Sequence, residues 1–277
     1  MSKADKKAAL FLNGKFTGSL EAKTSVMDPG FCFGLGLFES MRSYRGKIVY
    51  LDEHIERIKN SCRLIGLKFP FSAPRLKQLI RKCVDANGSV DTYVKLILWK
   101  AIKGTNYLII TKRYNAPSLN RYKSGFKVLI SDLRQDEKSL TARIKTTNRL
   151  LYQLSFNEAR KKGFDEALIL NNRGLLAEGS RSNVFFIKDN EVFTPSLECG
   201  CLGGVTRKVI FDLCSKLKIK IYTGRFTVKD LLESDEAFLT NSLMGIMPLS
   251  FLNQNAIGNA SLRHITSLLQ KKYRALL

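Results

Sequence analysis

The sequence predicts a mixed α/β (α+β) protein built as two lobes. Three observations predict it. Short β-like runs alternate with runs of helical period along the chain. The pattern breaks once, at NAPSLNRYKS (115–124), which reads as a linker. The 277 residues, 44% hydrophobic and 25% charged, suffice for one large packed domain or two smaller ones. The boundary therefore falls at residue 120, giving an N-terminal α/β lobe, 1–120, and a C-terminal α/β lobe, 121–277.

The elements follow in order. LFLNGKF (10–16) sets Asn13-Gly14 between two extended runs, a strong hairpin signal because a tight turn needs residues that tolerate positive φ. Arg45-Gly46 marks another turn, after a stretch rich in glycine and aromatics. At Leu51 the period changes: Leu51, Ile55, Ile58, Cys62 and Ile65 share one helical face, and Gly66 is placed to end the helix. A second helix follows Pro74 through Leu76, Leu79, Ile80 and Val84 and stops near Asn87-Gly88. TYVKLILW (92–99) and NYLIITKRY (106–114) read as strands. In the second lobe FKVLIS (126–131) opens a new set, and a helix over about 149–162 ends at Gly163. EALIL (166–170), SNVFFI (182–187) and EVFTP (191–195) are strands, the last two joined across Asp189-Asn190. A helix over 205–217 leads to the strands KIKIYTG and EAFLTN. Leu262, Ile265, Leu268, Leu269 and Leu276 make a last amphipathic helix.

Composition narrows the chemistry. MSKADKKAAL lacks the apolar core of a secretory leader, and no apolar run approaches the ~18 residues of a membrane helix. A soluble, cytoplasmic protein is expected. The six cysteines show no CxxC spacing and only His54 and His264 are present, so no metal site is expected and no nucleophile motif surrounds either histidine. The net charge of +22 admits nucleic-acid binding. The basic residues are scattered and no nucleic-acid-binding motif accompanies them. A basic surface that draws in anionic small molecules is the preferred reading, with a nucleic-acid-binding protein on an inactive version of the fold as the alternative.

Five stretches carry candidate chemistry. Lys145, in RIKTTNRLL (143–151), sits at the mouth of an apolar stretch; a lysine acts as nucleophile or base only when neutral, which burial favours. AEGSRSNVFF (177–186) brings Glu178 to a turn. CLGGVTRKVI (201–210) runs two glycines into a helix, whose free amides suit a phosphate, with Thr206 as an added hydroxyl. DEHIERI (52–58) sets His54 and Arg57 three apart on a helix, and Arg57 has the fork to grip a phosphate. FLTNSLMGIMP (238–248) runs a strand into Asn241 and Ser242 and bends at glycine and proline. Taken singly, each has an ordinary structural explanation.

In this order and spacing the stretches resemble the class IV aminotransferases, the fold-type IV enzymes that use pyridoxal 5′-phosphate (PLP). The match is a long composite: Glu178, Asn183, Val184 and Phe185, then Thr194, then Leu202, Gly204, Val205 and Arg207. The resemblance implies a two-lobed, D-amino-acid-aminotransferase-like fold with the cofactor between the lobes and the cofactor lysine, Lys145, in the C-terminal lobe. It implies that Glu178 pairs with the pyridine nitrogen, and that Arg57, the backbone at Val205, Thr206 and Ser242 hold the phosphate.

Within the family KTTNRLLYQLSFNEARKKGFDEALIL, TNSLMGIMP and YVKLIL are most similar to aminodeoxychorismate lyase, which forms 4-aminobenzoate and pyruvate for folate synthesis. An aminotransferase acting on branched-chain or D-amino acids is the open alternative. The resemblance gives Ser40 a part in proton handling, and makes Asn241 and Lys103 candidates for a substrate carboxylate. It also implies a homodimer. Where the family often has Asp-Arg-Gly and Gly-Asp-Gly, this chain has Asp28-Pro29-Gly30 and Gly34-Leu35-Gly36.

Overall fold

The computed structural model describes residues 9–88, 90–259 and 263–277. The chain divides into two compact units: Met1–Ala116 with Ile144–Asn148, and Pro117–Arg143 with Arg149–Leu277.

In the first unit the hairpin signal is realised. β1 (Ala9–Leu12) returns as β2 (Lys15–Thr17) across Asn13 and Gly14, with φ of 45° and 96°. After the short α1 (Pro29–Cys32) come β3 (Gly36–Tyr44) and β4 (Lys47–Ile48), then α2 (Leu51–Leu64) and α3 (Ala73–Asn87), then β5 (Asp91–Lys100) and β6 (Thr105–Arg113). The sheet order is β2-β1-β6-β5-β3-β4, antiparallel throughout.

Strand alternation gives this sheet two unlike faces. Leu37, Met41, Val94, Leu96, Leu98 and Ile109 point one way and pack on Ile55, Ile58 and Cys62 of α2 and on Leu76, Leu79 and Ile80 of α3. Phe38, Ser40, Tyr93, Lys95 and Ile97 point the other way and are only half-buried. Glu39 sits on the packed face too, a carboxylate 1% exposed.

Residues 144–148 join this unit because β3 has an open edge. β4 covers only Ser43 and Tyr44, so the head of β3 is left for Lys145–Thr147 to pair with. Phe38 N donates to Lys145 O at 2.8 Å, Thr147 N to Gly36 O at 2.9 Å, and Thr146 Oγ1 to Gly36 O at 3.0 Å. A Cβ on Gly36 would come 2.7 Å from Thr147 Oγ1, and one on Gly34 would overlap Asn148 Oδ1. Here the structure differs from the sequence expectation, which assigned Lys145 to the second lobe: the segment's backbone pairing, not its place in the chain, decides where it sits.

The second unit runs α4 (Leu119–Ser124), β7 (Phe126–Gln135), α5 (Leu140–Arg143), α6 (Leu150–Lys161), β8 (Glu166–Asn171), β9 (Leu176–Gly179), β10 (Asn183–Lys188) and β11 (Glu191–Pro195). It continues with α7 (Val205–Lys216), β12 (Ile221–Gly224), α8 (Val228–Leu232), β13 (Glu236–Asn241), β14 (Gly245–Leu252), β15 (Asn255–Ala256) and α9 (His264–Arg274). The sheet order is β12-β11-β10-β13-β14-β7-β8-β9, with β15 on β14. Its core joins Val128, Leu168, Leu176, Val184, Phe186, Leu239, Met247 and Leu249.

Four features depart from the sequence reading. The expected linker contains α4, capped by Ser118. Glu178 lies on a strand, β9, not at a turn. GIMP does not bend away but enters β14; Pro248 is tolerated because it faces Phe238 of β13, while pairing with β7 begins only at Leu249. Leu276 lies past the end of α9 and is 42% exposed, and Leu262 lies outside the described residues. Among the described residues no helix is long and apolar enough to cross a membrane.

Candidate active site

The first unit gathers Lys145, Ser40, Arg57, His54 and Glu39. Arg57 and His54 stand one turn apart on α2, over the packed face of β3, and both reach Glu39. Arg57 Nε donates to Glu39 Oε1 at 2.7 Å and Nη2 to Oε2 at 2.6 Å, a bidentate pair. His54 Nδ1 lies 2.7 Å from Glu39 Oε2. Burial alone would push the Glu39 carboxyl up, but the positive charge of Arg57 and then the contact with His54 prevail and hold it at about 2.

On the other face of β3, two amino groups approach the ring of Phe38, Lys145 Nζ at 4.8 Å from its centroid and Lys95 Nζ at 4.9 Å. Ser40 pairs across to Lys95 in the sheet register, and its Oγ lies 3.5 Å from the Tyr93 phenol. Lys103 is elsewhere: it is exposed in the turn between β5 and β6. Lys95 is the basic residue that the sequence reading passed over. Its signal was present in TYVKLILW, where strict alternation sets Tyr93 and Lys95 opposite Val94 and Leu96.

The second unit gathers Glu178, Val205, Thr206, Asn241 and Ser242. Glu178, 5% exposed, receives Leu202 N at 3.0 Å and Asn183 Nδ2 at 3.5 Å. Asn183 also donates to Leu202 O at 2.8 Å, which ties the loop before α7 to the head of β10. Thr194 Oγ1 donates to Val184 O at 2.8 Å and Arg207 Nη2 to Pro195 O at 3.1 Å. The composite motif is thus one connected scaffold around Glu178. Tyr152 of α6 stands beside it: burial, then the Glu178 carboxylate, holds its phenol proton on well above the ordinary range. Arg149 stacks over the Tyr152 ring at 3.4 Å and donates to Ser180 O at 2.6 Å. Neither was singled out from sequence, since nothing in NRLLYQL distinguishes a site tyrosine from a core one.

The residues fit a phosphorylated pyridine cofactor. α7 starts at Gly204 with no side chain capping it, so its first amides and dipole are left for an anion. A Cβ on Gly203 would meet nothing within 4 Å. Thr206 sits in the first turn, 3% exposed, and its hydroxyl bonds to no other described residue. Asn241 is engaged differently from expectation. Its Oδ1 accepts Leu243 N at 3.0 Å and Met244 N at 2.9 Å, and its Nδ2 donates to Arg181 O at 3.1 Å. It shapes the turn that carries Ser242, whose hydroxyl has no partner among the described residues.

The site chemistry and the fold coincide with one enzyme class. The chain belongs to the amino-transferase class IV family, whose model matches residues 36–251. Enzymes of this class use PLP. The chain is similar to the aminodeoxychorismate lyase of Bacillus subtilis (strain 168), 30% identical over 274 residues that cover 96% of this chain and 93% of that protein. It is 27% identical over 289 residues to the branched-chain-amino-acid aminotransferase of Pseudomonas aeruginosa, covering 99% and 94%. Among solved structures it resembles the branched-chain aminotransferase of the thermophilic archaeon Thermoproteus uzoniensis with norvaline, with a TM-score of 0.87 at 27% identity over 96% of this chain and 93% of that one.

Proposed function

We propose that the chain is a PLP-dependent lyase that converts 4-amino-4-deoxychorismate to 4-aminobenzoate and pyruvate, in folate biosynthesis, as a cytoplasmic homodimer. The observation that carries this reading is that Lys145 and Lys95 both contact the Phe38 ring, with Ser40 beside Lys95 on the same face. A second fixed cation next to the reacting lysine suits a substrate bearing carboxylates on a ring. When bound, the cofactor supplies an electron sink for the carbon that bears the substrate amine.

The rest falls to this chain. Arg57, the amide of Val205, Thr206 and Ser242 hold the phosphate, and Asn241 keeps Ser242 in place. Glu178 holds a proton at the pyridine nitrogen. Lys145 would hold the cofactor through its amino group and would take the ring proton from the carbon that bears the substrate amine. Loss of that proton with the enolpyruvyl group leaves an aromatic ring, which drives the step. Ser40 protonates the departing oxygen, and Lys95, in place of Lys103, pairs with a substrate carboxylate.

The second reading is an aminotransferase, supported by the likeness to the two branched-chain enzymes. Incubating the holoenzyme with 4-amino-4-deoxychorismate and no amino acceptor separates them. The lyase reading expects stoichiometric pyruvate and 4-aminobenzoate, lost in Lys145→Ala. No pyruvate, with bleaching of the cofactor absorbance by a branched-chain amino acid, would establish the aminotransferase instead.

A further inference from the structure

His54 is 1% exposed and sits behind Arg57. A neutral imidazole has one N–H; given through Nδ1 to Glu39, it leaves Nε2 as a bare lone pair. That Nε2 is buried and meets no hydrogen-bond partner. Three charged groups act on the ring: Glu39 from β3, Arg57 from its own helix, and Lys145 from the segment paired to β3. Burial, with Arg57 and Lys145, works against a second proton on the ring, while Glu39 works for it; the outcome is an imidazole held below its ordinary pKa.

Without an anion the cluster is balanced, since the Glu39 carboxylate is answered by Arg57 through two hydrogen bonds. A phosphate dianion on Arg57 upsets this balance. It adds two negative charges next to a buried carboxylate whose counter-charge is already engaged. His54 is the group in contact with that carboxylate that can change its charge, and Nε2 is where the proton can go.

We propose that His54 is the positioning residue of the phosphate site and that an anion seated on Arg57 binds together with one proton, taken up at His54 Nε2. This rests on the reading of Arg57 as a phosphate ligand. The proton converts the Glu39 contact from a hydrogen bond to an ion pair, so Glu39 is answered by two cations and Arg57 is released to serve the phosphate.

Sulfate is the probe, because it carries no titrating proton near neutrality. The full-length chain, stripped of cofactor, is titrated with sulfate in buffers of different ionisation enthalpy in half-unit steps from pH 5.5 to 7.5. Wild type takes up roughly one proton per sulfate at most, and His54→Gln, which keeps a donor for Glu39, takes up none. Only two histidines are present, so in His264→Gln the single remaining imidazole is followed directly by NMR, whether or not His54→Gln folds. Its titration moves up by about one pH unit or more when sulfate is added. No proton uptake by wild type, equal uptake by His54→Gln, or an unmoved His54 titration overturns the proposal. Arg57→Gln tells the two readings apart. If it abolishes sulfate binding while wild type takes up no proton, the proton role falls and the Arg57 reading stands. If sulfate binds Arg57→Gln as it binds wild type, the Arg57 reading falls and takes the proposal with it.

Discussion

Gly204 lies so close to Asn183 that a Cβ added to it would overlap the Asn183 side-chain oxygen, whereas a Cβ on neighbouring Gly203 would meet nothing within 4 Å. Two adjacent glycines thus have separate reasons to be glycine. Gly204→Ala must displace Asn183 and loosen its bond to Leu202, so the cofactor-free protein should lose about 1–3 kcal/mol in urea unfolding. Gly203→Ala should stay within about 0.5 kcal/mol in the same measurement. Equal losses from both variants would argue against a tied loop.

The Glu39 pair predicts an acid signature. Its carboxyl is held at about 2 in the folded protein against 4.5 ordinarily. A depressed folded pKa contributes stability above the unfolded value and loses it as pH falls toward the folded one. Wild type should therefore exceed Glu39→Gln by on the order of 3 kcal/mol above pH 5, and the gap should narrow steadily from about pH 4.5 toward pH 2. Denaturation curves of both proteins across that range test it. A gap independent of pH would mean that charge is not what Gln removes.

Lys95 and Lys103 should behave differently. Lys95→Ala removes a cation that shares the Phe38 ring with Lys145 and should raise KM for an anionic substrate about 10- to 100-fold. Lys103→Ala, in an exposed turn, should leave kcat and KM within about twofold. The reverse result would return the carboxylate role to Lys103.

Self-association should depend on the segment before β3. Val26, Met27, Phe31 and Phe33 are 64%, 68%, 66% and 74% exposed. The segment holding them is not loose: Asp28, 2% exposed, accepts from Trp99 Nε1 at 3.0 Å, Asn106 Nδ2 at 2.9 Å, Ile102 N at 3.1 Å and Thr24 Oγ1 at 2.8 Å. Exposed apolar side chains on a rigidly held segment are where a subunit contact would form. The double variant Phe31→Glu/Phe33→Glu should sediment as a monomer under conditions where wild type is a dimer. A wild type that is itself monomeric would remove the dimer from the proposed function.

Elements whose signals are local were legible in the sequence. Asn13-Gly14, the stripe from Leu51 to Cys62 and the Gly88 stop describe their own turns and helices, because period and positive φ need only near neighbours. α8 was missed although its capping box, Thr227 with Asp230, is also local; its five residues show no helical period. β9 and β14 were missed for another reason: LAEG and GIMPLSFL become strands only through partners far along the chain. The candidate site divides the same way. Glu178 and the Gly203-Gly204 entrance to α7 stood out as motifs. Glu39 did not, because in FESMR it is one carboxylate in a strand, and only the arrival of α2 gives it Arg57 and His54. The protein partners of the Asn241 amide were not legible, because a strand end gives no hint that two backbone amides will fold back onto it.

The pairing of residues 145–147 with the head of β3 has a consequence for cutting the protein. The chain passes between the two units three times, and the five-residue piece bearing Lys145 is covalently part of one while its hydrogen bonds are with the other. A single break near residue 116 would therefore yield one fragment whose sheet lacks the segment that pairs with the head of β3, and another that carries the lysine without the strand that positions it. Neither half could assemble the Lys145 surroundings alone, so recovery of cofactor binding in a mixture of the two halves would report their reassembly.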